Sequence, residues 1–341
     1  MISRIAAGAM AALFLGAASS VIVGKDEPGG DAGAQQVRIV YVETLRDQAS
    51  LRGESFRDTK YPVDKAEAVT MLQRPVGVFA DQFRVYVTDR LPVPRLAVFD
   101  RGASTLTFLQ ILPVPGQVES RFVDPVSVAV DQTGLIYVAD SAQGKVFGID
   151  RNGALFVTIG KAAGELGLPA AVAADARRNR LYVADKSSRR VRAYTTQGAP
   201  LYEFQGPDPK KKEKGLASPV GIAVGANGAV FVLDDRWNRV YQFDANGMFL
   251  SSFRVRPTGR GGAVRPNGIA VDSAGHVYVS DAQNSIVMIF DRDGSFLQSW
   301  GGTGSRREDF WQPAGIFIDS RDLIYIADQM NGRIQVYQYQ K

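Results

Sequence analysis

Between residues 265 and 302 the chain alternates four short apolar runs with three polar turns. The runs are Gly268–Val271, His276–Ser280, Ile286–Phe290 and Ser295–Trp300, and the turns are Asp272–Gly275, Asp281–Asn284 and Asp291–Gly294. Val, Ile, Tyr and Phe fill the runs, while Asp, Asn and Gly stand where the backbone must reverse. This pattern predicts a four-stranded antiparallel meander. Alone, such a sheet would leave two edges unpaired and one apolar face uncovered, so it needs neighbours of its own kind.

The chain supplies them. A proline opens the pattern at Pro75, Pro125, Pro169, Pro219, Pro266 and Pro313, at intervals of 50, 44, 50, 47 and 47 residues. A second landmark follows in each copy: Asp89, Asp140, Asp185, Asp234, Asp281 and Asp328. A third apolar run comes next, from RLAVFD at 95–100 to RIQVYQ at 333–338. This period with four strands per unit predicts an all-β, six-bladed β-propeller of antiparallel blades. The sixth copy runs out after Tyr339, one strand short, and a spare apolar run, Val37–Leu45, precedes the first copy. Pairing the two closes the ring and covers the last edge.

Copies five and six read PNGIAVD, VYVSDAQN and PAGIFIDSRDLIYIADQMNGRIQVY. These residues resemble the NHL repeat, in which an Asn and an Arg follow the landmark Asp and a Trp-Gly pair ends the last run. Copy two has Gln143 in the Asn place and Lys145 in the Arg place, and copy three has Ser188 and Arg190. Copy four is one residue tighter, and copy one is one residue longer between Asp89 and Arg95. The resemblance covers 74–341 and implies an exported bacterial propeller. Relatives of this kind include peptide-amidating lyases, which depend on several metal-binding histidines, and animal propellers that bind RNA. The similar gluconolactonase propellers hold a metal with acidic and amide ligands at the axis.

Residues 1–24 carry one early positive charge and then none until Lys25. This reads as an export signal with a cleavage site near Ala17-Ala18-Ser19; the rival is an uncleaved membrane anchor over 5–24. Residues 25–36 read as a flexible Gly-rich linker, and 37–341 as the propeller. Charged 46–73, with one helical turn near 65–69, carries the chain to the first blade. Location is therefore exported, periplasmic or extracellular, with membrane attachment if the signal is retained.

The chain has no cysteine and a single histidine, His276, which the pattern places in a second strand. Disulfides, thiolate sites and His-based zinc sites are thereby excluded. The residues expected at the inner-strand mouth are Val76, Val126, Ala170, Val220, Asn267 and Ala314, a poor donor set for a hard cation. No phosphate-binding or dinucleotide motif is present, so no cofactor is expected. The repeated Asp89, Asp140, Asp185, Asp234, Asp281 and Asp328 read as turn formers rather than a catalytic ring.

Net charge is +5 and the pI about 9.3. Sheet topology puts the second-to-third strand loops and the blade connectors on one face, which collects the basic residues. The other face is rich in Asp: Asp81, Asp100, Asp131, Asp150, Asp244, Asp272 and Asp291. The sharpest basic set is Lys210, Lys211, Lys212, Arg254, Arg256, Arg260 and Arg265, expected to dock a partner protein or an acidic envelope polymer. Nucleic acid fits less well, because few aromatics interleave with these charges and the chain looks exported. The expected function is a non-catalytic binding or scaffolding propeller. The alternatives are a metal-dependent lactonase or lyase working in the central channel, and a nucleic-acid-binding domain.

Overall fold

The computed structural model describes residues 21–23, 38–52, 70–113, 121–160, 165–207, 214–256 and 263–340. The linker over 25–36 and the helical turn near 65–69 lie outside the described residues. Five four-stranded antiparallel sheets and one of five strands form the six blades. Their inner strands are Pro75–Ala80, Pro125–Val130, Pro169–Asp175, Pro219–Val224, Pro266–Val271 and Pro313–Ile318. The landmark Asp is the last residue of each second strand, as in Arg84–Asp89 and Val277–Asp281.

The ring closes as the pattern requires. Arg38–Leu45 runs antiparallel to Arg333–Gln340, with Leu45 opposite Ile334 and Arg38 opposite Gln340. One strand more than expected is present. Val21–Val23 pairs outside Arg38–Val40, inside the stretch read as an export signal or anchor.

Each second strand is a near-continuous apolar run because a neighbouring blade covers it on either side. Ile136–Asp140 and Val230–Asp234 are buried at every position. Outer strands alternate between exposed and covered residues, as Thr105–Leu109 does. The core therefore lies between blades rather than at one centre. Phe231 and Leu233 of blade four, for example, share a cluster with Ile269, Val279 and Met288 of blade five. Each such side chain contributes about 1.5–3 kcal/mol when fully covered.

A bulge follows the opening proline in every inner strand, between Pro125 and Ser127 in blade two and between Pro266 and Gly268 in blade five. The extra residue is re-aimed toward the axis, as bulges do. Two residues on, a small side chain is a steric requirement. A Cβ on Gly315 would sit 2.4 Å from the Val76 carbonyl oxygen, and one on Gly77 would sit 2.7 Å from Ser127 Cα. Neighbouring inner strands touch there backbone to backbone.

His276 differs from the sequence expectation. It lies in the turn just before the second strand rather than within it, with Nδ1 2.8 Å from Asp272 Oδ2 and its ring 5.7 Å from that of Tyr339. The Asp272 carboxylate draws it there, because the same group also accepts the His276 backbone N–H at 2.8 Å.

Candidate functional site: the connector face and the channel mouth

The six landmark Asp residues are all buried, none more than 1 % exposed. Each carboxylate accepts a backbone N–H from the connector that enters its own blade. Arg74 N–H donates to Asp89 at 2.7 Å, Val123 to Asp140 at 2.7 Å, and Leu168 to Asp185 at 2.9 Å. Ala217 N–H donates to Asp234 at 2.6 Å, Arg265 to Asp281 at 3.0 Å, and Trp311 to Asp328 at 2.7 Å. The local turn is bound as well, as Trp237 N–H donates to Asp234 at 3.0 Å. One carboxylate thus ties a loop to a connector about 16 residues upstream.

Residues after the landmark complete this staple. Asn331 donates to Asp328 and to the Gly304 carbonyl, both at 2.8 Å, and Asn284 reaches Asp281 and the Ala263 carbonyl. Gln143 does the same for Asp140 and the Arg121 carbonyl. Arg95 and Arg333 form buried ion pairs with Asp89 and Asp328 and also cap connector carbonyls. In blade three the donors are many. Burial would raise the Asp185 carboxyl, but the N–H groups of Leu168 and Gly167 and the hydroxyls of Ser187 and Ser188 outweigh it, lowering the pKa to about 2.

Basic residues on this face are less free than their number in the sequence suggests. Arg90 pairs with Asp124, Lys186 with Asp235 at 3.2 Å, and Arg190 and Arg192 with Glu203. On the opposite face Arg84 pairs with Asp100, Arg178 with Asp175 and Arg321 with Asp319. Lys145, Arg189 and Arg306 are scattered around the ring without a carboxylate partner among the described residues, and the densest such group is a sector between blades four and five. Arg254, Arg256 and Arg265 are exposed there, with no carboxylate partner among the described residues. Lys210, Lys211, Lys212 and Arg260 lie outside the described residues.

Two further cations belong to this sector. Arg236 is exposed in the loop after Asp234, and Arg239 stands directly opposite Arg254 in the ladder. Like charges in that position repel. In blade three Glu203 lies opposite Arg192 and neutralises that edge; the matching place in blade four holds Ser252, whose hydroxyl accepts from Arg239 at 2.6 Å. The Glu-to-Ser change is legible in the sequence wherever the two copies are set residue against residue.

Inside the ring lies a channel of about 500 Å³. Bulge residues Val76, Val126, Ala170, Val220 and Asn267 line it, with Ser127 beside them. Ala314 does not: it is 1 % exposed and lies between blades, its carbonyl accepting from the Ser280 hydroxyl at 2.5 Å, and Gly315 faces the channel in its place. Arg90, Asp124, Ser141 and Lys186 rim the connector-face mouth. Phe79 and Phe317, with ring centroids 4.5 Å apart, line the far end. Among the described residues no three His, Asp or Glu side chains converge as metal ligands.

A family model described as a 6-bladed beta-propeller, DUF5128, matches residues 269–341, the last two blades. The chain is a six-bladed propeller. It is similar to a gluconolactonase from Xanthomonas campestris at 13% identity, with a TM-score of 0.60 and coverage of 94% of this chain and 98% of that one. A protein of unknown function from Bacteroides thetaiotaomicron matches at 15% identity, with TM-score 0.59 and coverage of 94% and 87%. Virginiamycin B lyase from Staphylococcus aureus matches at 14% identity, with TM-score 0.55 and coverage of 78% and 95%. At such identities the likeness is one of fold, and fold does not imply function. No curated protein matches the chain.

Proposed function

We propose that the chain is an exported propeller of the NHL type that binds an acidic partner on its connector face and performs no catalysis. The observation that carries this reading is the uncompensated cation sector. Arg239 and Arg254 face one another with Ser252 where a glutamate would neutralise them, and Arg236, Arg256 and Arg265 extend the charge across the blade four–five boundary. Repulsion left standing between two facing arginines is relieved when an anionic segment arrives. The occupant is an acidic stretch of a partner protein, because the free outer edge of Phe249–Arg254 offers backbone hydrogen bonds beside those charges.

Channel residues support the non-catalytic part. Ser127 already engages the Val172 backbone at 3.1 Å, which leaves Asn267 as the one free side-chain amide among the bulge positions. The virginiamycin lyase and gluconolactonase likenesses do not supply the missing donors. Export rests on the apolar segment at the N-terminus. A cut near Ser19 would leave Val21–Val23 free to pair with Arg38–Val40, whereas an anchor helix continuing to Gly24 would unpair it. No helix among the described residues is long and apolar enough to cross a membrane.

The experiment is capture of a fluorescent polyglutamate peptide by the exported protein across a salt series. Charge reversal at Arg254, Arg256 and Arg265 to Glu is expected to weaken capture at least tenfold and to flatten its salt dependence. Capture unchanged by that triple substitution removes the reading. Preference for polyphosphate over polyglutamate would reassign the partner to an anionic polymer.

A further inference from the structure

The channel lies apart from the cation sector, and the chemistry of its walls limits what would fit there. Every inner strand forms a ladder with its second strand only, so its other edge faces the axis. Single side-chain bonds, Ser127 to the Val172 backbone and Ser280 to the Ala314 carbonyl, are the exceptions. Edge N–H and C=O groups without a ladder partner remain along the channel, although the Val76 and Val126 carbonyls lie against the glycines of neighbouring inner strands. Side chains between them are small: Val76, Val126, Ala170 and Val220. The fifth position breaks this sameness with Asn267, whose amide has no partner among the described residues. Rim charges cancel locally, Arg90 against Asp124 and Lys186 against Asp235.

We infer that this channel receives a short, uncharged, extended peptide segment that enters from the connector face with an apolar side chain leading. A peptide carries alternating donors and acceptors of its own and can satisfy strand edges as an added strand would. The chain shows the same chemistry at its rim, where Val21–Val23 adds to the outer edge of blade six. An acyl tail is the obvious rival, and it loses on hydrogen bonding. Filling the channel with hydrocarbon would strip water from the backbone groups and return nothing, at about 1–3 kcal/mol for each group left unpaired. A charged peptide loses as well, because the neutralised rim gives it no counter-charge. The volume, about 500 Å³, suits a ligand of roughly three or four residues within the usual range of small-ligand sites. Phe79 and Phe317 at the far end would meet the leading side chain as aromatic partners.

The test uses the full chain and a tetrapeptide, acetyl-Val-Ala-Val-Phe, carrying a fluorophore on its C-terminal amide. Wild-type protein is expected to raise the fluorescence anisotropy with saturation in the micromolar range. Asn267→Leu should weaken binding about tenfold, and Ala170→Trp, which fills the channel, should abolish it at an unchanged melting temperature. The triple charge reversal on the connector face should leave this binding intact, which separates the channel from the acidic-partner site. Binding unaffected by both channel substitutions would overturn the inference, as would displacement of the peptide by decanoate or the absence of saturable binding. If Ala170→Trp fails to fold, Asn267→Leu and the decanoate competition decide the matter.

Discussion

Arg333 donates through Nε to Asp328 Oδ2 at 2.7 Å, and both side chains are almost wholly buried, at 4 % and 0 % exposure. The guanidinium also serves the carbonyls of Ser305, Arg306 and Asp309, so four of its five N–H donors are used. One arginine thereby fixes the connector into blade six, the second strand and the third strand together. Arg95 holds the same station in blade one, reaching Asp89 at 2.9 Å and the Met71 carbonyl at 2.5 Å.

Replacing Arg333 with Met should therefore cost about 3–5 kcal/mol, because it leaves a buried carboxylate without its cation. Urea unfolding gives the figure. The double variant Arg333→Met, Asp328→Asn should recover part of the loss; equal destabilisation in both variants would show that the ion pair is not the cause.

A second pairing repeats on the opposite face. Tyrosine hydroxyls of the second strands donate to the Asp that ends the inner strand's turn: Tyr86 to Asp81 at 3.1 Å, Tyr137 to Asp131 at 2.9 Å, Tyr278 to Asp272 at 3.1 Å and Tyr325 to Asp319 at 3.1 Å. Burial and then the Asp81 carboxylate push the Tyr86 phenol up to about 12. Blade four has lost both partners at once, with Gly225 for Asp and Phe231 for Tyr. Phe231→Tyr alone should destabilise by about 1–2 kcal/mol by burying an unpaired hydroxyl. Adding Gly225→Asp should restore most of that loss, as the thermal midpoints of a double-mutant cycle will show.

Asp185 predicts a pH effect with a definite sign. Its folded-state pKa of about 2 lies below the ordinary carboxyl value of 3.8, so its ionised form is the one the fold favours. The stability it adds is complete above about pH 4 and is lost as pH falls toward 2. The gap in unfolding free energy between wild type and Asp185→Asn should be widest near pH 6 and shrink steadily below pH 4. A gap that holds constant to pH 2 would mean that the carboxylate charge is not what binds the Leu168 and Ser187 donors.

Closure of the ring carries a prediction of its own. The Arg101 guanidinium of blade one bonds Glu43 in the closing strand and the Tyr325 hydroxyl of blade six, the latter at 3.0 Å. Arg101→Ala should lower the melting temperature by a few degrees, at about 1–2 kcal/mol. Removing residues 38–45 should be far more severe, since it strips the ladder from Arg333–Gln340. A truncated protein that melts with the parent would mean that blade six stands without its outer strand.

The sequence by itself determined the number of blades, their order and their closure. Six prolines, six landmark Asp residues and a displaced apolar strand are periodic signals, and a repeat forces each unit to bury its face against the next. Residue types at five of the six bulge positions could also be read directly from the repeat. Only the tertiary structure decided which charges are free. Glu203 opposite Arg192, Asp124 beside Arg90 and Asp235 beside Lys186 cancel cations that look alike in the chain, whereas Ser252 leaves Arg239 and Arg254 uncancelled. Pairing across strands and between blades depends on register and distance of a few ångströms, which composition does not encode. The same holds for Ala314, which the repeat aligns with the channel residues but which lies between blades with its carbonyl bonded to Ser280.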